Sequence, residues 1–255
     1  MPMTVKLLAM TCGWLTADLS NFLAGENGRV RVPVPAYLIQ HPKGCVLFDT
    51  GMHPATQVDP HGRVGWIADA FLVEFRPGEE INARLEALDI APDRVTHIIN
   101  SHLHFDHAGG NELIPEAKVV IQRREWEAAH IPEQMQANNY FSADFDHGHQ
   151  IMQIDGEHDL FDDGSVVTVP TYGHTPGHQS LKVRLKSGEI VLTADACYMR
   201  KTLEDLHLPE LLDNPEKMLD SLRLLRKLEA AGARIFYGHD PEFWKQVPQA
   251  PLEVS

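Results

Sequence analysis

Ser101-His102-Leu103-His104-Phe105-Asp106-His107-Ala108-Gly109-Gly110 places four metal-ligand side chains, His102, His104, Asp106 and His107, within six residues. The stretch follows an apolar run of strand character at residues 95–100. His102 and His104 are two apart, so an extended backbone points both the same way. Asp106 and His107 follow where the chain turns toward a helix. Adjacent residues point in different directions, so one segment can serve two metal ions a few ångströms apart. Imidazole suits zinc, iron, cobalt, nickel and manganese, and carboxylate adds a hard oxygen ligand.

Further ligand candidates stand downstream, each at the end of a strand-like run. Thr171-Tyr172-Gly173-His174-Thr175-Pro176-Gly177-His178 follows residues 165–169, Thr193-Ala194-Asp195 follows 189–192, and Tyr237-Gly238-His239-Asp240 follows 234–236. Strand ends present side chains from a rigid sheet to a shared cleft. Gly173, Gly177, Ala194 and Gly238 permit close approach. Each signal alone is weak, but in this order with the first stretch they reinforce one another.

Composition sets the frame. A chain of 255 residues suits a single domain over residues 1–255, with no linker dividing it. Hydrophobic residues at 43% can fill a sizeable core. The net charge of −14 argues against nucleic acid or an anionic membrane as partner. No run approaches the roughly 20 apolar residues of a membrane span. The apolar run at 7–10 lacks the features of a signal peptide. Cys12, Cys45 and Cys197 are too few and scattered for a disulfide framework, so a cytoplasmic location with free thiols is expected. Histidine, at 15 residues, outnumbers each aromatic type.

Short Val/Ile/Leu-rich runs predict strands at 5–10, 35–40, 45–49, 95–100, 118–122, 165–169, 180–185, 189–194 and 234–237. Helices are predicted at 79–88, 123–130 and 215–231. The last has Asn214 as N-cap, Pro215 in its first turn and a stripe of Met218, Leu222, Leu225 and Leu228. Many strands with a few covering helices suggest a layered α/β sandwich. Residues 51–78 and 131–150 read as loops too long for plain connections. The first carries Trp66, Ile67, Phe71, Leu72 and Phe75, which either pack back on the body or line an apolar pocket.

The series HLHFDH, GHTPGH, TADACY and GHD resembles the metallo-β-lactamase superfamily. That resemblance implies a four-layer αββα sandwich with a two-metal site at one edge of the sheets. It assigns His102, His104 and His174 to one ion, Asp106, His107 and His239 to the other, and Asp195 to both. Val46–Met52 (VLFDTGM), residues 101–111 (SHLHFDHAGGN), 173–181 (GHTPGHQSL) and 193–198 resemble the N-acyl-homoserine lactonases, the quorum-quenching lactonases of that superfamily. This implies that Tyr198, three residues after the bridging aspartate, meets the substrate carbonyl. The chain departs from the pattern in loops 18–31 and 51–78, which line the acyl side in that family. Related lactonases are commonly homodimers, and 18–31 could serve as a dimer arm.

The implied chemistry is hydrolysis. Two divalent ions about 3.5–4 Å apart can share a hydroxide, because binding lowers the pKa of water to around 7. That hydroxide attacks a lactone carbonyl, Tyr198 donates to the developing oxyanion, and a proton reaches the leaving alkoxide through Asp106. The expected cofactors are two divalent metal ions, zinc first, with cobalt, manganese or iron as substitutes. Another lactone, or a glyoxalase II-like thioester, is the alternative substrate, although the short tail at 241–255 has Lys245 as its only basic residue. A di-iron redox protein with an appended flavin domain fits poorly, because position 104 is histidine and the chain has no room for that domain.

Several residues are set aside. Cys197 is read as packing, pointing away from Asp195 along a strand-like segment. Asp146-His147-Gly148-His149 reads as a solvated loop. His178 is expected to orient a ligand or hold its turn, and His97 to be a hydrogen-bonded core residue. His41, His53, His61, His130, His158 and His207 read as surface or loop residues. Asp49 could accept a hydrogen bond from a ligand histidine.

Overall fold

Residues 5–255 are described in a computed structural model, where they form two sheets of seven and five strands. The strands are β1 (Lys6–Asp18), β2 (Arg29–His41), β3 (Gly44–Phe48), β4 (Phe71–Glu74), β5 (His97–Ile99), β6 (Lys118–Gln122), β7 (Ile151–Ile154), β8 (His158–Asp159), β9 (Val166–Pro170), β10 (Gln179–Leu185), β11 (Gly188–Leu192) and β12 (Arg234–Phe236). The first sheet has the order β4-β1-β2-β3-β5-β6-β7 and the second β12-β11-β10-β9-β8.

Strand periodicity sorts the side chains into layers. Val46 and Phe48 of β3 and Val120 of β6 face the second sheet, where they meet Leu181, Val183, Ile190 and Leu192. The alternate residues Leu47, Val119 and Ile121 face outward under Ile81, Leu85, Phe105 and Ala128 of the covering helices. On the far side, Val191 and Ile235 meet Leu222 and Leu225 of helix Pro215–Ala230. The result is the expected αββα order. The helix starts as its sequence dictates, with the Asn214 side chain accepting from Lys217 N. Met218, Leu222 and Leu225 are fully buried, while Leu228 is only half-buried.

The structure corrects several boundaries. The strand expected at 5–10 continues to Asp18, because Gly13, at φ 97°, carries the chain through a register shift between Thr11 and Trp14. β2 begins at Arg29, and its Pro33 and Pro35 pair on either side of that shift. The stretches 51–78 and 131–150 are not plain loops. The first holds helices Pro60–Val64 and Ile67–Ala70 and edge strand β4, and the second holds helix Pro132–Ala137. His97 is half-buried in β5 and bonds its neighbour Thr96, so it is not a core residue. His41 is less exposed than expected, because its ring stacks on Phe161 at 4.0 Å between centroids.

Candidate metal centre

The C-terminal ends of β3, β5, β9, β11 and β12 lead into the segments that carry Asp49, His102 to His107, His174, Asp195 and His239. Close packing of backbone brings them together. A Cβ on Gly238 would lie 2.3 Å from the Ala194 carbonyl oxygen, so only glycine lets the β11 and β12 ends approach this closely.

Asp195 is at the centre of the cluster. Its Oδ1 lies 3.1 Å from both His107 Nε2 and His239 Nε2. Its Oδ2 lies 3.3 Å from His174 Nε2 and 3.7 Å from His102 Nε2. His104 Nδ1 completes the second set, 2.9 Å from His102 Nε2 and 3.1 Å from His174 Nε2. Asp106 Oδ2 completes the first, 3.6 Å from His107 Nε2 and 3.8 Å from His239 Nε2. Two groups result, His102/His104/His174/Asp195 and Asp106/His107/His239, with donor atoms mutually within 4.8 Å in each.

The far ring nitrogens fix the tautomers. His107 Nδ1 donates to Asp49 Oδ2 at 2.8 Å, His239 Nδ1 to the Pro33 carbonyl at 2.7 Å and His104 Nε2 to the Asn138 carbonyl at 2.7 Å. Ser101 Oγ donates to Asp49 Oδ2, so it accepts from His102 Nδ1 at 2.9 Å. In its neutral form each of these imidazoles therefore turns a lone pair toward its group. His102 Nε2 and His104 Nδ1 then face each other at 2.9 Å with no proton between them. His107 Nε2 and Asp195 Oδ1 are buried without a hydrogen bond. An unmade bond at a buried polar atom costs about 1–3 kcal/mol. Lone pairs and carboxylates converging from all sides are a donor set that divalent cations fit, and the nitrogen and oxygen donors include no thiolate.

The electrostatics divide the cluster between its two groups. Burial pushes His102 and His174 well below the ordinary histidine value, so they stay neutral. Burial alone would lower His107 and His239 too, but Asp195, Asp106 and Asp49 carry His107 well above that value and Asp195 raises His239, so a proton occupies the place that a bound cation would take on these two rings. Burial and the charge of Asp195 hold the Tyr198 hydroxyl well above its usual range, which keeps its proton in place.

Tyr198 is buried beside the cluster, its Oη 3.2 Å from His174 Nδ1. With the lone pair of His174 Nε2 facing Asp195, Nδ1 donates to that hydroxyl and makes no use of the hydroxyl proton. Above the cluster opens a cleft of about 960 Å³, including open solvent at its mouth. Asp106, His174, Asp195, Tyr198 and His239 line its floor. Leu15, Phe22, Trp66, Ile67, Phe71 and Leu211 line its walls. The apolar residues of 51–78 therefore do both things weighed for them: Phe75 packs into the core, and Trp66, Ile67 and Phe71 face the cleft. Segment 18–31 folds back over the same cleft. Phe22 packs edge-on against Tyr198 at 5.3 Å, and Ala24 N donates to the Leu208 carbonyl.

Of the residues set aside, Asp49 accepts from a ligand-set histidine as expected, and His178 holds its turn through Thr171 at 2.9 Å. Cys197 is buried in the apolar cluster under helix Pro215–Ala230. The cause is not strand alternation, which would place residues 195 and 197 on one face. A 3-10 turn at Ala194–Ala196 separates them. His149 is buried, its Nε2 3.1 Å from the Ile114 carbonyl, which corrects the solvated-loop reading. The sequence reading missed Glu125, a fully buried carboxylate beneath the site. Burial raises its pKa to about 6, against four hydrogen-bond donors. A lone glutamate in a helical first turn carries no signal that separates it from a solvent-facing one.

Residues 29–239 match the family described as the metallo-beta-lactamase superfamily. The N-acyl homoserine lactonase AttM of Azorhizobium caulinodans is 36% identical, with 97% of each chain covered. The N-acyl homoserine lactonase AiiA of Bacillus thuringiensis subsp. kurstaki is 34% identical, over 84% of this chain and 83% of the relative. Among solved structures, an N-acyl homoserine lactone hydrolase with the product N-hexanoyl-L-homoserine bound at its catalytic metal center superposes with a TM-score of 0.88. Its identity is 31%, over 99% of this chain and 100% of that one. A B. thuringiensis AiiA mutant with N-decanoyl-L-homoserine at its active site gives a TM-score of 0.89 at 30% identity, with 99% and 100% covered.

Proposed function

The chain belongs to the metallo-β-lactamase superfamily, and from that membership we propose that it is a metal-dependent hydrolase opening the lactone ring of N-acyl-homoserine lactones. One observation carries the reading: the two oxygens of Asp195 face two separate donor groups on the floor of an apolar cleft. The relatives AttM and AiiA, both N-acyl homoserine lactonases, suggest the substrate class.

In this reading His102, His104 and His174 hold one divalent ion, Asp106, His107 and His239 hold the other, and Asp195 contacts both. Zinc is the first choice for that donor set, with cobalt, manganese or iron able to replace it. When bound, the pair supplies Lewis acidity and lowers the pKa of water to around 7. The protein does the rest. Tyr198 donates to the carbonyl oxygen as charge develops there, since His174 Nδ1 occupies its lone pair and not its proton. Asp106, on the cleft floor, passes a proton to the leaving ring oxygen. Trp66, Phe71 and Leu211 receive the acyl chain, and residues 1–255 work as one domain. Free Cys12, Cys45 and Cys197 support a reducing cytoplasm as its place.

Ring opening of a neutral lactone yields a carboxylic acid, so proton release in weak buffer follows the reaction directly. Metal-loaded protein is expected to open N-acyl-homoserine lactones of short, medium and long acyl chain. Lactones left intact beside rapid hydrolysis of a glutathione thioester would move the assignment to a glyoxalase II-like thioesterase.

A further inference from the structure

Glu125, in helix Arg123–Ala128, is fully buried and accepts four hydrogen bonds from three separate segments. Its Oε1 takes Leu103 N at 3.1 Å and Tyr140 Oη at 2.8 Å. Its Oε2 takes Thr175 Oγ1 and Gly177 N, each at 2.9 Å. Leu103 lies between His102 and His104, and Thr175 follows His174. Tyr140 lies two residues after Asn138, whose carbonyl receives the His104 proton, and its ring is 5.7 Å from that of His104. The three segments therefore carry or orient His102, His104 and His174. The other group has its own anchor in Asp49, which binds Ser101 and His107.

We propose that Glu125 is a positioning residue for one of the two sites, fixing His102, His104 and His174 and so controlling retention of the metal they hold. The proposal rests on the two-site reading above. Its chemistry follows from the donor inventory. All four partners donate, so only a carboxylate satisfies all four. A glutamine sets its NH2 group against the Leu103 or the Gly177 N–H, neither of which can turn to accept. One of the two segments then has to give way. The 173–178 turn has little room to adjust, because a Cβ on Gly177 would lie 2.2 Å from Glu125 N.

The test is metal content and affinity in Glu125→Gln, with Tyr140→Phe as the milder variant that removes one donor of four. Each protein is dialysed against graded chelator and its zinc is counted by elemental mass spectrometry. Cobalt-loaded samples give a visible spectrum. The parent should keep two ions per chain. Glu125→Gln should hold one with parent affinity and the other roughly 10–100-fold more weakly. The cobalt spectrum should lose one component and keep the other. Tyr140→Phe should shift the same ion by less, and it carries the test if Glu125→Gln does not fold. Variants that keep both ions at parent affinity, or lose both equally, overturn the proposal alone. A parent that binds no divalent ion overturns the two-site reading beneath it as well.

Discussion

A carboxylate with one oxygen toward His107 and His239 and the other toward His174 and His102 does two jobs with one side chain. Asp195→Ala is therefore expected to lose metal and turnover together, measured as zinc per chain and lactone hydrolysis on one sample. Full zinc content in that variant would contradict the bridging role. Tyr198→Phe removes only a donor. It should keep both ions and lower kcat by roughly a hundredfold or more, the scale of one lost oxyanion contact. Turnover equal to the parent would remove Tyr198 from the reaction. Residues of the candidate site were legible where the chain repeats a pattern. His102, His104, Asp106 and His107 announce themselves by spacing, and His174, Asp195 and His239 by their places after strands. Asp49 was legible as a partner, because it ends an apolar strand. Glu125 and His149 were not, since their burial is decided by distant segments closing over them.

At the scale of elements, strand and helix interiors followed periodicity, while ends and short edge pieces did not. Strand β6 was predicted to the residue, and helix Pro215–Ala230 to within one. β4 and two-residue β8 pair at sheet edges, where pairing partners and not local pattern define the strand. Two of the irregular stretches that line the cleft, 51–78 and 131–150, are tied together by an ion pair. Arg63 of helix Pro60–Val64 binds Asp144 at 2.6 Å. Phe71→Ala should raise KM most for long acyl chains and least for short ones, because each buried methylene is worth about 0.8 kcal/mol. Equal effects across a chain-length series would place the acyl group elsewhere. Leu222→Ala, which empties a fully buried position under the second sheet, should cost about 2–5 kcal/mol in urea unfolding. A cost below about 1 kcal/mol would contradict the packing described.

At the scale of the molecule, stability should carry a signature of the buried acids. Burial raises Asp144 from 3.8 to about 6, with Arg63 opposing the rise. The folded state therefore holds that proton more tightly than the unfolded chain, so ionisation between those values works against folding. Relative to Asp144→Asn, the parent should lose stability as pH rises from 3.8 to about 6, by at most about 1.4 kcal/mol per pH unit. Urea unfolding of chelator-treated protein checks the sign, and a parent that gains stability over that window would reverse it. The chain carries 36 acidic against 22 basic residues, which suits a neutral, apolar substrate better than a polyanion. In the proposed function, two ions in the Asp195 cluster open a lactone. The most direct measurement is the ring-opening rate of an N-acyl-homoserine lactone as zinc is added stepwise to metal-free protein. The rate should rise from near zero to a plateau at two zinc ions per chain. Full activity without metal, or an intact lactone at every loading, would contradict it.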